Sequence, residues 1–284
     1  MSLPSPARAR WCALFAALIA ALAIAPATAL AVEAADPVKP AEPTQPADGA
    51  DPATPAAETA PAGPPKLRPA GVSGPFGNEI LSDERMVTRH AKARYETPIY
   101  RFPTSRALRL AKLRFMTEDG FPEVYLVLES RVDANDQVWL KIRIPGRPNG
   151  RVGWVRDTKL GEVQSVDTFR HIRRGRDARL YRGHRLIWQA PVGTGAAATP
   201  TPAGHFWIRE KFRGTGGIYG PWVFGTAAYS VLSEWPRGGV IGIHGTNQPG
   251  LIPGRPSHGC IRVRNDKITQ LYRLMPVGTP LLIT

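Results

Sequence analysis

A chain of 284 residues has room for one or two domains at about 150 residues each. Its formal net charge of +14 and its two cysteines, Cys12 and Cys260, exclude a disulfide-built scaffold and favour an anionic partner. Which anionic partner depends on the compartment, and the first residues of the chain bear on that.

Arg8 and Arg10 precede an apolar run, Trp11 to Ala25, which ends at Pro26; Ala27, Ala29 and Ala31 follow. This basic, apolar, small-residue order is that of a secretory signal, expected over residues 1–31. An uncleaved membrane anchor is the alternative, because Trp11 to Val32 is nearly long enough to span a bilayer. Either outcome puts the remainder of the chain outside the cytoplasm, in the cell envelope or wall. Cys12 stands near the start of the apolar run, which argues against a lipid-modified N-terminal cysteine. After cleavage Cys260 would be the sole thiol, unable to form an internal disulfide in a compartment that oxidises thiols.

Residues 32–84 open with a Pro- and Ala-rich stretch, from Val32 to Pro69, that has almost no apolar residue larger than alanine. Such a segment cannot bury a core; it is expected to be a disordered or polyproline-like tether. Residues 70–284 carry 32 Lys and Arg against 17 Asp and Glu, a balance of +15. Outside a bacterial cell that charge suits anionic wall polymer or membrane surface. Nucleic acid is not expected as a partner, although Arg170 to Arg176 reads RHIRRGR. That string is expected to be a solvated strand edge, where charge discourages strand aggregation.

Residues 85–162 form the first foldable unit. Val124–Leu128 and Val138–Ile144 predict strands, the second with Val138, Leu140, Ile142 and Ile144 alternating onto one face. Asp133–Asp136 and Gly146–Gly150 predict turns, and Val152–Val155 a further short strand. These pieces suit a small antiparallel barrel. With Gly153-Trp154-Val155 as a closing strand, the unit resembles a bacterial SH3-like domain, which implies wall or substrate binding; a spacer packed on the next unit is the other reading.

The second unit, residues 166–284, predicts two strands within Phe169–Val192 around a turn at Arg182-Gly183-His184. A strong turn follows at Thr199–Gly204, then a strand over His205–Ile208 and a flexible loop at Gly214–Gly220. Trp222, Phe224 and Tyr229 are candidates for a cleft or for core. Asn265 is a candidate N-cap for a helix carrying Ile268, Leu271, Tyr272 and Met275 on one face; Pro276 stops it, and Pro280–Thr284 predicts a final strand.

The stretch Ile241–Arg264 holds His244, His258 and Cys260 around a Gly- and Pro-rich loop. A cysteine is weakly ionised at neutral pH unless a neighbour favours its thiolate, and either histidine is a candidate for that neighbour. Adjacent strand ends would bring His244 across to Cys260. Gly259 permits a tight turn before the thiol. The amides of Gly259 and Cys260 are candidates for an oxyanion hole. The carbonyl of Gly245 could fix the tautomer of an imidazole in place of an Asp. A zinc site on His244, His258 and Cys260 is the rival, but no Cys-x-x-Cys or HExxH supports it. An inert, buried cysteine is the bland alternative.

The residues Ile243–Asn247 (IHGTN) and Ser257–Arg262 (SHGCIR) resemble the L,D-transpeptidases with a YkuD-type catalytic domain, a resemblance that covers Asp167–Thr284. Together with the SH3-like resemblance of residues 85–162, it implies a mainly β fold: a small SH3-like barrel followed by a YkuD-type β-rich catalytic domain with a short helix. It also implies Cys260 as the acylated nucleophile and His244 as general base, with Ser257, His258 and Gly259 shaping the site. The family often has Asn where this chain has Arg262, which is therefore a candidate for a substrate carboxylate or for bracing the loop; Trp222 is a second candidate for substrate binding. The implied reaction joins peptidoglycan stem peptides by 3→3 cross-links. The acyl-enzyme could instead pass to water or to a protein amine, and a non-catalytic wall-binding module is the reading from another class. No metal or cofactor is required, and a monomer is expected.

Overall fold

The computed structural model describes residues 79–284; the expected signal and nearly all of the tether lie outside them. Among the described residues no helix is long and apolar enough to cross a membrane. The fold is mainly β, as expected, with one α-helix among the described residues.

The first sheet has eight strands: β1 (Glu79–Ile80), β2 (Thr88–Lys92), β3 (Pro98–Tyr100), β4 (Arg109–Lys112), β5 (Val124–Val132), β6 (Val138–Arg143), β7 (Val152–Arg156) and β8 (Gln164–Val166). They run in the order β4-β3-β7-β6-β5-β2-β8, with β1 also on β5. All of its pairings are antiparallel, and no pairing joins β4 to β8 among the described residues. Alternation along β6 buries Leu140 and Ile142 with Ile144 beyond it, together with Ile99, Tyr125, Val127 and Val155. The turn between β5 and β6 is built by Asp133. One oxygen of its carboxylate accepts the amides of Asn135 and Gln137 (2.9 and 3.1 Å), and the other accepts the Trp139 indole N–H at 2.9 Å.

The second sheet has ten strands: β9 (Thr168–Arg173), β10 (Asp177–Arg182), β11 (Arg185–Pro191), β12 (Gly193–Gly195), β13 (Gly204–Arg213), β14 (Trp222–Tyr229), β15 (Val240–His244), β16 (Gly254–Ser257), β17 (Ile261–Arg262) and β18 (Pro280–Ile283). Helix α1 (Asn265–Leu274) precedes the last strand, and the order is β11-β10-β9-β18-β13-β14-β15-β17-β12-β16. The stretch expected to give two strands gives three, because Gly175, at φ +71°, turns the chain between β9 and β10. The basic string is not an edge either. β9 lies between β10 and β18, and its two-residue period points Thr168, Arg170 and Ile172 inward. Arg170 is fully buried with its guanidinium 4.6 Å from the centre of the Trp188 ring. Burial pulls its pKa down to about 9.

Helix α1 lays Ile268 and Leu271 on the sheet with Met275 just beyond, all fully buried; each such side chain contributes about 1.5–3 kcal/mol. Asn265 is its first residue, not its cap. The Asn265 side-chain oxygen instead accepts the Thr246 amide at 2.9 Å, tying the helix start to the loop after β15.

The two sheets share buried contacts. The Trp207 indole on β13 donates to the Val124 carbonyl at the start of β5 (2.7 Å), and Val124 and Leu126 belong to the core of the second sheet. Arg209, almost wholly buried, forms an ion pair with the fully buried Glu123 and a second with Glu118 at 2.9 Å. Tyr229 donates its hydroxyl to Glu118 at 2.6 Å.

Candidate active site

Strands β15 and β17 run parallel and side by side, with Ile243 opposite Ile261 and His244 opposite Arg262. Extending that register by one residue puts Cys260 beside Gly242. The His244 ring and the Cys260 sulfur both lie close to Gly242: a Cβ there would sit 3.7 Å from the ring and 3.9 Å from the sulfur, at ordinary contact distance from each. Thiol and imidazole therefore flank the same glycine. The Gly242 amide donates to the Cys260 Sγ at 3.4 Å.

His244 is buried, and its Nδ1 lies 2.6 Å from the Gly245 carbonyl. A carbonyl can only accept, so Nδ1 carries the proton and Nε2 of the neutral ring keeps its lone pair. The Gly245 carbonyl thus lies where it can hold this tautomer. Burial pushes the His244 pKa down to about 4; the Gly245 and Ile218 carbonyls favour the protonated ring, while the Arg262 charge opposes it. Cys260 keeps part of its surface exposed. Burial pushes its thiol up, against the Gly242 amide and the charges of Arg262 and Arg237. The resting pair is neutral thiol and neutral imidazole.

The turn before the thiol is held by Ser257. Its hydroxyl donates to the Cys260 carbonyl at 2.6 Å and accepts the Gly259 amide at 3.1 Å. The Gly259 amide is therefore occupied within the turn and does not serve the oxyanion role expected for it. Gly259 is required for another reason. Its φ is +126°, and a Cβ would lie 2.7 Å from Ile241 Cδ1. Its carbonyl accepts the Thr201 hydroxyl at 2.7 Å, and that hydroxyl in turn accepts the Gly195 amide at 2.9 Å, so the Thr199–Gly204 turn braces the site.

The remaining candidates separate. His258 is exposed and stacks on Trp235 (5.0 Å between ring centres), away from the role of base. Arg262 donates to the Gln248 side chain at 2.8 Å, which braces the loop between β15 and β16. Trp222, partly buried, stacks at 4.0 Å on Tyr272 of α1 and packs against the core. The aromatic residues that do reach the site are Tyr219, edge-on to His244 at 5.2 Å, and Trp235. Both sit in Gly-rich or irregular segments without periodicity, so no local signal distinguishes them. Arg237 acts on the thiol through space and offers no motif at all.

This geometry can be set beside known proteins. The profile of the L,D-transpeptidase catalytic domain, YkuD, matches residues 170–283, from β9 to the end of β18. The YkuD protein of Bacillus licheniformis, named as an L,D-transpeptidase, is 33% identical over 144 residues, which cover 49% of this chain and 81% of the relative. The chain belongs to the YkuD L,D-transpeptidase family. Its namesake from Bacillus subtilis is 35% identical over 104 residues, covering 37% of this chain and 57% of that protein. Among solved structures, an L,D-transpeptidase from Mycobacterium tuberculosis is 12% identical with a TM-score of 0.36, covering 52% of this chain and 90% of the other. The catalytic domain of the E. faecium L,D-transpeptidase is 20% identical with a TM-score of 0.33, covering 42% and 97%. The family domain coincides with the second sheet and its helix, where Cys260 and His244 meet.

Proposed function

We propose that this L,D-transpeptidase is an exported peptidoglycan enzyme that works through an acyl-enzyme on Cys260 and forms 3→3 cross-links. The observation that carries the reading is the convergence of the Cys260 thiol and the His244 ring over Gly242, with His244 Nδ1 tied to Gly245. The tie leaves Nε2 as the proton acceptor.

The Cys260 sulfur attacks the carbonyl of the L-configured third residue of a stem tetrapeptide while its proton passes to His244 Nε2. The tetrahedral intermediate collapses to a thioester as the C–N bond to the terminal D-Ala breaks, and the imidazolium gives its proton to the leaving amine. A side-chain amine of a second stem then attacks the thioester, loses a proton to His244, and releases the Cys260 thiolate, which takes that proton back. One amide is exchanged for another, so the reaction needs no ATP. The neutral resting pair suits this sequence, because proton transfer accompanies attack rather than preceding it. The positive charges of Arg262 and Arg237 favour the thiolate as it develops and as it is released.

The test is incubation with purified tetrapeptide muropeptides, read by mass spectrometry. Cross-linked dimer, lost by at least about 10⁴-fold in Cys260→Ala, is the expected result. Tripeptide without dimer would make the enzyme a carboxypeptidase, and wall binding with unchanged substrate would make it a binding module.

A further inference from the structure

The first sheet reaches the catalytic site through the turn between β6 and β7. Asn149 on that turn makes two hydrogen bonds to the main chain of Tyr229, its amide donating to the carbonyl at 2.9 Å and its oxygen accepting the Tyr229 N–H at 3.0 Å. It thus acts as one more strand partner where β14 ends. Arg147 donates through Nε (3.1 Å) and Nη2 (2.6 Å) to the Ser230 carbonyl, and through Nη2 to the Leu232 carbonyl at 3.4 Å. Its guanidinium also lies 5.2 Å from the centre of the Tyr229 ring. On another edge of the same segment, Asp119 of the first unit pairs with Arg237.

The segment so held, Ser230–Gly239, forms one wall of the site. A Cβ on Gly259 would meet the Ser230 side chain at 3.5 Å, so that serine backs the turn that carries the thiol. The Ser230 amide donates to the Gly239 carbonyl at 2.8 Å, closing the segment on itself. Trp235 at its tip stacks on His258, and Arg237 contributes charge at Cys260. The segment has no ladder of its own between Ser230 and Gly239. Its carbonyls at Tyr229, Ser230 and Leu232 are met from the first sheet, and a guanidinium fork supplies the stronger, charge-assisted kind of bond.

We propose that Arg147 and Asn149 are positioning residues for the Cys260 site, fixing the Ser230–Gly239 wall against Gly259 and His258, so that the first sheet is a built-in part of the catalytic unit rather than a free binding module. The proposal rests on the acyl-enzyme reading of Cys260. Neither residue touches the reacting atoms; both act by limiting how far the wall can move. A displacement of about 1 Å in such a wall is enough to cost on the order of 100-fold in rate.

The test uses the full chain with Asn149→Ala, Arg147→Ala and Arg147→Lys. Hydrogen exchange is read across residues 230–239 and 257–260, and kcat and KM are read separately on tetrapeptide muropeptides. The expected result is faster exchange confined to those two segments, kcat lowered about 10- to 100-fold with KM changed less than about twofold, and melting lowered by only a few degrees. Arg147→Lys should recover part of kcat, since one charged donor still reaches the Ser230 carbonyl. Unchanged exchange at 230–239, or activity lost only in proportion to unfolded protein, overturns the proposal. The two readings fail separately: full activity in Cys260→Ala ends the acyl-enzyme reading, whereas unchanged exchange in Asn149→Ala ends this one.

Discussion

Two buried polar clusters of this molecule resolve burial in opposite ways. At the junction of the sheets, Arg209 and Arg114 face Glu123 and Glu118. At the candidate active site, His244 and Cys260 flank Gly242, and the hydrogen bonds recorded for them are to main-chain groups, with no carboxylate partner. Burial disfavours charge in both places. In the first cluster the opposite charges more than offset it. Burial pushes Glu118 up, but Arg209, the Tyr229 hydroxyl and Arg114 bring it down to about 2, and the arginines are held firmly protonated. In the second cluster burial prevails, and His244 falls to about 4 while the thiol rises. The lesson is that depth alone does not set protonation. The partner does: His244 and Cys260, without a carboxylate partner, are both shifted toward their neutral forms, whereas the cluster joining the two sheets keeps its charges matched.

The sharpest way to break this comparison is to remove one charge at the junction. Arg209→Met leaves Glu123 buried without its bidentate partner, and the unfolding free energy should fall by about 3–5 kcal/mol, read by urea denaturation. Adding Glu123→Leu should restore much of the loss, because the cost lies in the stranded carboxylate. If Arg209→Met alone is neutral, the junction is not held by matched charge.

A smaller effect separates the clusters by pH. His244 binds its proton only near pH 4, so the acidic limb of the acylation profile should lie near pH 4 and not near 6.5. A limb at 6.5 would mean an imidazole in ordinary solvent. Stability carries the same sign. His90 is also lowered by burial, with Lys92 adding to it, from 6.5 to about 4. Unfolded histidine takes up a proton below about 6.5, and the folded protein does so only near 4, so stability is lost as pH falls through that window. Glu210 acts in reverse. Burial raises it from 4.5 to about 7, so its contribution grows as pH falls from about 7 to 4.5. Urea midpoints measured from pH 7 to 4 should therefore fall less steeply in His90→Gln and more steeply in Glu210→Gln.

The smallest change should come from a charge pair in neither cluster. Arg182 and Asp167 meet at 3.5 Å with both side chains about half exposed. Asp167→Asn should shift stability by less than about 1 kcal/mol, and a larger loss in the same urea measurement would show that exposed pairs carry weight here.

Much of the fold was legible locally. The i, i+3, i+4, i+7 spacing from Ile268 to Met275 gave the helix, because only one face of it can be covered by the sheet. The alternation of Leu140, Ile142 and Ile144 marked β6 for the same reason at a period of two. The site was legible where chemistry demands particular residue types: a thiol, an imidazole and a glycine turn between Ile241 and Arg264. Trp222 stayed open between core and cleft because an aromatic side chain serves both equally well, and its stacking on Tyr272 shows only in the fold. Arg170 was misplaced because a run of arginines looks solvated until strand order makes β9 an interior strand. Asn265 has the chemistry of a cap, but the loop holding Thr246 comes close enough to take its oxygen instead.

The sequence by itself determined which residues could carry the reaction, since nucleophile, base and tight turn are properties of side-chain type and short spacing. Tertiary structure alone decided that His258 turns out onto Trp235, that Ser257 engages the Gly259 amide, and that Arg147 and Asn149 reach the wall of the site from 80 or more residues away. These depend on strand register and on which loops meet in space, and no local pattern encodes a contact between residues so far apart in the chain.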